Sequence, residues 1–310
     1  MKEKFLITDI VDESLVKGLE KYGFDVDYKP KINQSEVEVI IKNYHGIVIA
    51  TRIKIGADIL EKANCLKWIL RAGSGMENVD VKSAEQKNIV CINSPEGNQN
   101  AVAEHCVGLL IGLLHHIPFA FQEIKNGNWA TEKFRVNELT GKTIGIIGYG
   151  NTGSAFASRL KNFNVKILAF DKYKTEFSDD QVIESTMEQI FSEADIVSLH
   201  VPLTSETFEM INHSYIQKFS KSIYLINTSR GKIVDESDLY KNLVKGKICG
   251  AALDVIYEEP GSEFKISTES KIQKLVETNR VIITPHIAGK SFFSRLNFAE
   301  VLLQKLFHKM

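Results

Sequence analysis

Short apolar runs, separated by polar segments of helical spacing, recur along the first third of the chain. Phe5–Ile10, Phe24–Tyr28, Gly46–Ala50, Leu66–Leu70 and Ile89–Asn93 each read as a β-strand, with a helix expected over Glu13–Tyr22 and further helical segments between most of the others. Repeated strand-helix units with short, mostly apolar strands imply a parallel sheet covered by helices on both faces. From Asn98 to Asn126 the period changes. Ala103, Val107, Leu110 and Leu114 fall at helical spacing, and Cys106, Leu109, Ile111, Leu113 and Ile117 widen the apolar surface beyond one face. This predicts one long helix, bent or broken at Pro118. A loop-rich connection from Asn126 to Gly141 follows. A second strand-and-helix series then runs through Thr143–Ile147, Val165–Phe170, Asp195–His200, Ser222–Asn227, Cys249–Asp254 and Val281–Thr284, and closes on a helical segment, Ser291–Lys309.

The turn after the first strand of that second series is the most informative stretch. Gly148, Gly150 and Gly153 form a G-x-G-x-x-G run between an apolar strand and a helix expected over Ser154–Phe163. The first glycine permits a tight turn, the second lets backbone approach a pyrophosphate, and the third lets helix and strand pack closely. A helix N-terminus at that point offers free N–H groups and a favourable dipole to an anion. The next strand ends at Asp171, 18 residues beyond Gly153. A carboxylate there can bind both ribose hydroxyls and repels a 2′-phosphate, so NAD is expected over NADP. Lys172 and Lys174 would soften that preference unless they are ordinary solvated lysines.

Three charged residues lie just past strand ends in the second half: Arg230, Glu259 (with Glu258 beside it) and His286. Ligands of an open parallel sheet collect at the carboxyl ends of its strands. An imidazole suits removal of a hydroxyl proton as hydride leaves carbon. A neighbouring carboxylate fixes its tautomer and favours the imidazolium. A guanidinium can grip a substrate carboxylate through two parallel hydrogen bonds and polarise a keto oxygen. Singly, each has a bland explanation: a surface arginine, a solvated glutamate, a histidine satisfied in a turn after proline. Their shared placement favours an NAD-dependent hydride transfer on a 2-hydroxy acid.

Composition narrows the class. The 310 residues suffice for two domains, and 25% charged residues with a formal net charge of −1 and no basic run imply neither a nucleic-acid nor a membrane partner. The N-terminal apolar stretch is too short for a signal peptide and no segment is long enough to span a bilayer, so a cytoplasmic protein is expected. Cys65, Cys91, Cys106 and Cys249 form no C-x-x-C pair and read as small apolar residues of a reducing compartment. His115 and His116 are adjacent on a helix and point apart, so no metal site is expected.

With these motifs in order, the chain resembles the D-isomer-specific 2-hydroxyacid dehydrogenases over nearly its whole length. The matching runs are Gly148–Gly153 with Asp171, Asn227–Gly231 around Arg230, Asp254–Pro260 around Glu259, and Thr284–Gly289 around His286. The family pattern makes the acid directly before proline catalytic, which selects Glu259. The resemblance implies an α/β fold of two doubly wound parallel-sheet lobes, a Rossmann NAD-binding domain (99–286) inserted in a flavodoxin-like substrate domain (1–98 plus 287–310). It implies Ser74 and Gly75 as holders of the substrate carboxylate and Asn98 as a substrate-side residue. It sets Asn151 and Thr152 at the pyrophosphate and Val201, Thr228 and Asp254 along the cofactor. It also implies a homodimer paired through the long helix and the arm after it.

Arg52 and Arg71 match positions where phosphoglycerate dehydrogenases, the closest members in motifs, place phosphate-binding arginines. D-3-phosphoglycerate, oxidised to 3-phosphohydroxypyruvate in serine biosynthesis, is therefore the expected substrate. The alternative is hydroxypyruvate or glyoxylate reduction, with Arg71 a strand-end residue and Arg52 serving any hydroxy acid. The family pattern often has Arg-Ile where Asn151 and Thr152 stand. Glu259 argues against a formate dehydrogenase, in which glutamine takes that place. A non-catalytic NADH-sensing corepressor retains the same motifs and is a third reading. No regulatory domain for serine control is expected in a chain of this length.

Overall fold

The computed structural model describes residues 2–259, 267 and 270–309. Its contacts divide the chain into two units, Met1–Gln99 with Lys290–Met310, and Asn100–Gly289.

The first unit is built on β1 (Lys4–Ile7), β2 (Asp25–Tyr28), β3 (Gly46–Ile49), β4 (Trp68–Arg71) and β5 (Val90–Asn93). Their order is β2-β1-β3-β4-β5 and every pairing is parallel. Phe5, Leu6, Ile7, Ile47, Val48 and Ile49 are fully buried, as apolar strands with no solvent face must be. Helices α1 (Glu13–Lys21), α2 (Gln34–Ile40), α3 (Ala57–Lys62) and α4 (Val81–Gln86) connect the strands. Leu15 and Leu19 of α1 pack on one face of the sheet with Ala299, Leu302 and Leu306 of the C-terminal helix, Ser294–Lys309. Val37 of α2 and Ile59 and Leu60 of α3 pack on the other.

The second unit carries β6 (Thr143–Ile147), β7 (Lys166–Phe170), β8 (Val182–Glu184), β9 (Ile196–Leu199), β10 (Ile223–Asn227), β11 (Ile248–Leu253) and β12 (Val281–Ile283). The order is β12-β11-β10-β9-β6-β7-β8, again all parallel. The chain moves outward from β6 in one direction and then, from β9, in the other. That reversal beside β6 is the switch point of a doubly wound nucleotide-binding sheet. Its helices are α5 (Gln99–Leu114), α6 (Ile117–Lys125), α7 (Asn151–Arg159), α8 (Met187–Glu193), α9 (His213–Gln217), α10 (Glu236–Val244) and α11 (Lys271–Glu277). Val102, Ala103, Cys106, Leu109, Leu110, Leu113 and Leu114 bury α5 on several sides. Among the described residues no single helix is long and apolar enough to cross a membrane.

The long helix is broken into two, as expected, but two residues before Pro118: α5 ends at Leu114, His116 takes a left-handed φ of 54°, and α6 leaves at 62°. The proline ring would clash with the carbonyl four residues back, at Leu114, whereas in the first turn of α6 its missing N–H costs nothing. The helix after the glycine turn starts at Asn151 rather than Ser154, with Gly150 as its extended N-cap. Strand β8 has only three residues, too few for a periodic signal, and forms because β7 offers it an edge.

Candidate active site

The glycine turn joins β6 to α7 at the carboxyl edge of the second sheet. Gly148 has φ +93°, and a Cβ there would lie 2.5 Å from the His200 carbonyl oxygen. A Cβ on Gly153 would lie 2.1 Å from the Gly148 carbonyl oxygen, so the helix can meet the strand only without a side chain. At Gly150 a Cβ would meet nothing within 4 Å. The first and third glycines thus close the turn, while the second leaves open space beside the N-terminus of α7. No side chain caps that helix. These features fit a pyrophosphate held by backbone N–H groups. The first turn is anchored by the Thr152 hydroxyl, 3.2 Å from Nδ1 of His200, whose Nε2 lies 2.8 Å from Ser198 Oγ. Complete burial lowers the His200 pKa to about 4, so this ring stays neutral and structural.

Asp171 stands at the end of β7. Its Oδ2 accepts the Tyr149 N–H at 2.8 Å, which ties the ribose-side acid to the glycine turn, and its Oδ1 accepts the N–H groups of Tyr173 and Lys174. Neither nearby lysine is poised for a 2′-phosphate: Lys172 pairs with Glu206, and Lys174 donates to the Tyr149 carbonyl at 3.2 Å. Val201 follows β9 and adjoins the turn, its Cγ1 being 2.9 Å from where a Gly148 Cβ would sit.

Three loops at the same sheet edge carry the candidate reactive groups. After β10, buried Asn227 shapes the arginine loop: its Oδ1 accepts from Ser229 N and Oγ, and its Nδ2 donates to the Arg230 carbonyl. The Arg230 guanidinium donates from Nη1 to the Ser229 carbonyl at 2.7 Å. A Cβ on Gly231 would come within 1.7 Å of the Ile256 carbonyl oxygen. Glycine at that position therefore seats the arginine loop directly against the segment leading to Glu259. That segment is tied down by the Tyr257 N–H, which donates to buried Glu236 at 2.7 Å. Burial raises the Glu236 pKa.

His286 follows β12 in a left-handed conformation, φ 52°. Its Nδ1 is 2.7 Å from Glu259 Oε2, while Glu258 has no part in that contact. A carboxylate only accepts, so Nδ1 carries the proton and Nε2 is left with a free lone pair. Pro260 of the same motif lies outside the described residues. Asp254, only 1% exposed, directs its carboxylate at the His286 loop: Oδ1 accepts from Thr284 Oγ1 at 2.6 Å and Ile287 N at 2.9 Å, and Oδ2 from Ala288 N at 2.8 Å. Thr228 sets its hydroxyl 3.1 Å from Cys106 Sγ.

In the first unit, the Ser74 hydroxyl donates to Asn98 Oδ1 at 2.9 Å, and Asn93 Nδ2 donates to the Ser74 carbonyl. Ser74, Asn93 and Asn98 thus belong to one hydrogen-bonded loop system beyond β4 and β5, with Gly75 next to Ser74 in the chain. Arg71 ends β4 and donates from Nη1 to the Ala72 carbonyl. Arg52 is engaged by Asp9 through Nε at 3.1 Å and by the carbonyls of Thr8, Pro30 and Ile32.

Residues 107–288 match the family model of the D-isomer specific 2-hydroxyacid dehydrogenase NAD-binding domain. The chain belongs to that family. It is 32% identical to D-3-phosphoglycerate dehydrogenase of Archaeoglobus fulgidus over 98% of its own length and 56% of the relative's. It is 36% identical to hydroxypyruvate reductase of Thermotoga maritima over 90% and 89% of the two chains. The chain therefore spans about half the length of the phosphoglycerate dehydrogenases it matches. Among solved structures, the PH0520 protein of Pyrococcus horikoshii OT3 superposes with a TM-score of 0.84 at 28% identity, covering 99% of this chain and 92% of that one.

Residue-by-residue reading of the sequence named the candidate groups on these loops but not the side chains that support them. Asn227 and Gly231 shape the arginine loop, and Thr284 and Asp254 hold the histidine loop. Asparagine followed two residues later by serine was a readable turn signal. Contacts between strand ends distant in sequence leave no such local mark.

Proposed function

We propose that this chain interconverts a D-2-hydroxy acid and its 2-keto acid using NAD, with D-3-phosphoglycerate and 3-phosphohydroxypyruvate as the physiological pair. The contact that carries this reading is His286 Nδ1 to Glu259 Oε2 at 2.7 Å, on loops at the carboxyl edge of the nucleotide-binding sheet. His286 Nε2 accepts the substrate hydroxyl proton, and Glu259 stabilises the imidazolium that results. Arg230 pairs with the substrate carboxylate and polarises the carbonyl oxygen as it forms. The family resemblance assigns the backbone N–H groups of Ser74 and Gly75 to substrate binding, with Asn98 accepting from the Ser74 hydroxyl. When bound between the N-terminus of α7 and Asp171, NAD supplies the acceptor for the hydride leaving carbon. The same groups run the reverse reaction, with His286 returning the proton.

A phosphorylated substrate is favoured by a cavity of about 600 Å³ at the carboxyl edge of the first sheet. Its lining includes Lys31, Arg52 and Arg295 against a single carboxylate, Asp9. Hydroxypyruvate or glyoxylate reduction is favoured by one opposing observation: most of the donors of Arg52 already serve Asp9 and backbone carbonyls. NADH absorbance with purified protein and 3-phosphohydroxypyruvate, hydroxypyruvate and glyoxylate decides between them. The expected result is the highest kcat/KM for the phosphorylated acid, with that preference lost in Arg52→Ala and Arg71→Ala. Preference for an unphosphorylated acid would make the protein a reductase of the second kind. No turnover with any of the three would favour an NADH-sensing role.

Asp171 should set the cofactor. Asp171→Ala is expected to lower the NAD:NADP ratio of kcat/KM by at least about tenfold, the effect of losing one charge-assisted hydrogen bond. An unchanged ratio would remove Asp171 from the ribose site. A homodimer is supported by the exposed apolar side chains of α6 and the arm after it. Ile117, Phe121, Ile124, Trp129 and Val136 are 47% to 87% exposed, more than scattered surface positions require.

A further inference from the structure

Helix α5 meets two of the reactive loops through adjacent residues, and neither contact has a role in the chemistry set out above. Cys106 Sγ is 3.1 Å from Thr228 Oγ1, on the loop leading to Arg230. Burial pushes the Cys106 thiol up to about 12, so it remains a neutral partner. One residue earlier, His105 Nε2 lies 3.0 Å from Thr284 Oγ1 and 3.5 Å from Asp254 Oδ1.

The direction of these bonds follows from their chemistry. Thr284 has one hydroxyl proton, and its oxygen lies 2.6 Å from a carboxylate oxygen that can only accept. The proton therefore points at Asp254, and the threonine oxygen is free to accept from His105. His105 consequently carries its proton on Nε2. The Asp254 carboxylate then collects Thr284, Ile287 N and Ala288 N, and its backbone carbonyl accepts the His286 N–H at 2.8 Å. These bonds hold His286 in its left-handed conformation, which costs energy for any residue but glycine and persists only where the surroundings impose it.

We propose that His105 is a positioning residue: through Thr284 and Asp254 it locks the loop that presents His286 onto helix α5. It acts by completing a partly buried polar network in which the threonine oxygen would otherwise lack a donor. The inference rests on His286 being the catalytic base, and the test separates the two.

His105→Leu removes the donor at similar size, His105→Gln places an amide N–H where Nε2 stood, and Thr284→Val removes the next link without changing shape. His105→Leu should lower kcat about tenfold, the scale of a small misplacement of a reacting group. NADH affinity by fluorescence and KM for the keto acid should stay within about twofold. His105→Gln should restore most of the rate. Thr284→Val should lose at least as much as His105→Leu, and the double variant should be no slower than Thr284→Val alone, because both act through one bond. Hydrogen exchange at the amides of Ile287 and Ala288 should quicken in the leucine and valine variants. Rates within twofold of the parent, losses that multiply in the double variant, or no rescue by glutamine would overturn the proposal. If His105→Leu does not fold, Thr284→Val and His105→Gln carry the same comparison. His286→Ala is measured alongside. Its loss of turnover with a normal His105→Leu rate refutes only the positioning role, whereas retained turnover in His286→Ala refutes the assignment of the base as well.

Discussion

Replacing His286 with alanine is expected to reduce kcat about 10³-fold while leaving NADH binding within about twofold, since a positioned acid–base group contributes on that scale. The argument is geometric. The imidazole sits beyond β12 with Nδ1 committed to Glu259, which leaves Nε2 as the only side-chain lone pair on that ring able to take a proton. The pair is half exposed, the His286 side chain at 49% and Glu259 at 39%. A hydrogen bond that exposed adds little to stability, so its effect is orientation and charge in the transition state rather than folding. The loop itself is held by backbone bonds to Asp254 and does not depend on the imidazole. The alanine variant should therefore fold, bind NADH and fail to turn over. Stopped-flow absorbance with the preferred keto acid and a fluorescence titration with NADH test both halves. Retained turnover would remove His286 from the base role.

Arg230→Lys should cost about 10³-fold in kcat/KM, with kcat and KM both affected, although the positive charge is kept. A planar guanidinium can grip a carboxylate with two parallel bonds and still direct a donor at the carbonyl oxygen. An ammonium on a flexible stem cannot do both. The structure invests heavily in the placement of this residue: Asn227 is buried to frame the loop, and Gly231 lets it lie against the Ile256 carbonyl. Steady-state kinetics on the lysine variant give the split directly. A rise in KM alone would assign Arg230 to uniform substrate binding and not to the transition state.

The nucleotide-binding half was the more legible part of this chain. Uniformly apolar strands declare a parallel sheet because both of their faces must be buried, and the spacing of Gly148, Gly150 and Gly153 is dictated by backbone geometry that neighbouring residues already imply. The placement of the candidate residues was legible for a related reason: Arg230 and His286 lie three residues past the ends of β10 and β12, and Glu259 lies six past the end of β11. The break near Pro118 was legible too, only its position shifting by two residues, because the turn at His115 and His116 places the proline in the first turn of α6. Reading failed where the deciding contact was distant. Strand β8 depends on the edge of β7, which no three-residue window can reveal.

Arg52 shows the limit at the level of a single side chain. Its position matches that of a phosphate ligand, while its guanidinium is largely occupied by Asp9 and three backbone carbonyls. Sequence alone determined the class of fold, the glycine turn and the order of the reactive residues along the chain, because each depends on local periodicity or on the backbone needs of a few consecutive residues. Tertiary structure alone decided that the Glu259 carboxylate lies on Nδ1 of His286, that Asp254 clasps the histidine loop, and that His105 stands behind it. Those contacts join positions 27, 33 and 179 residues apart, and their geometry exists only once the strands are side by side.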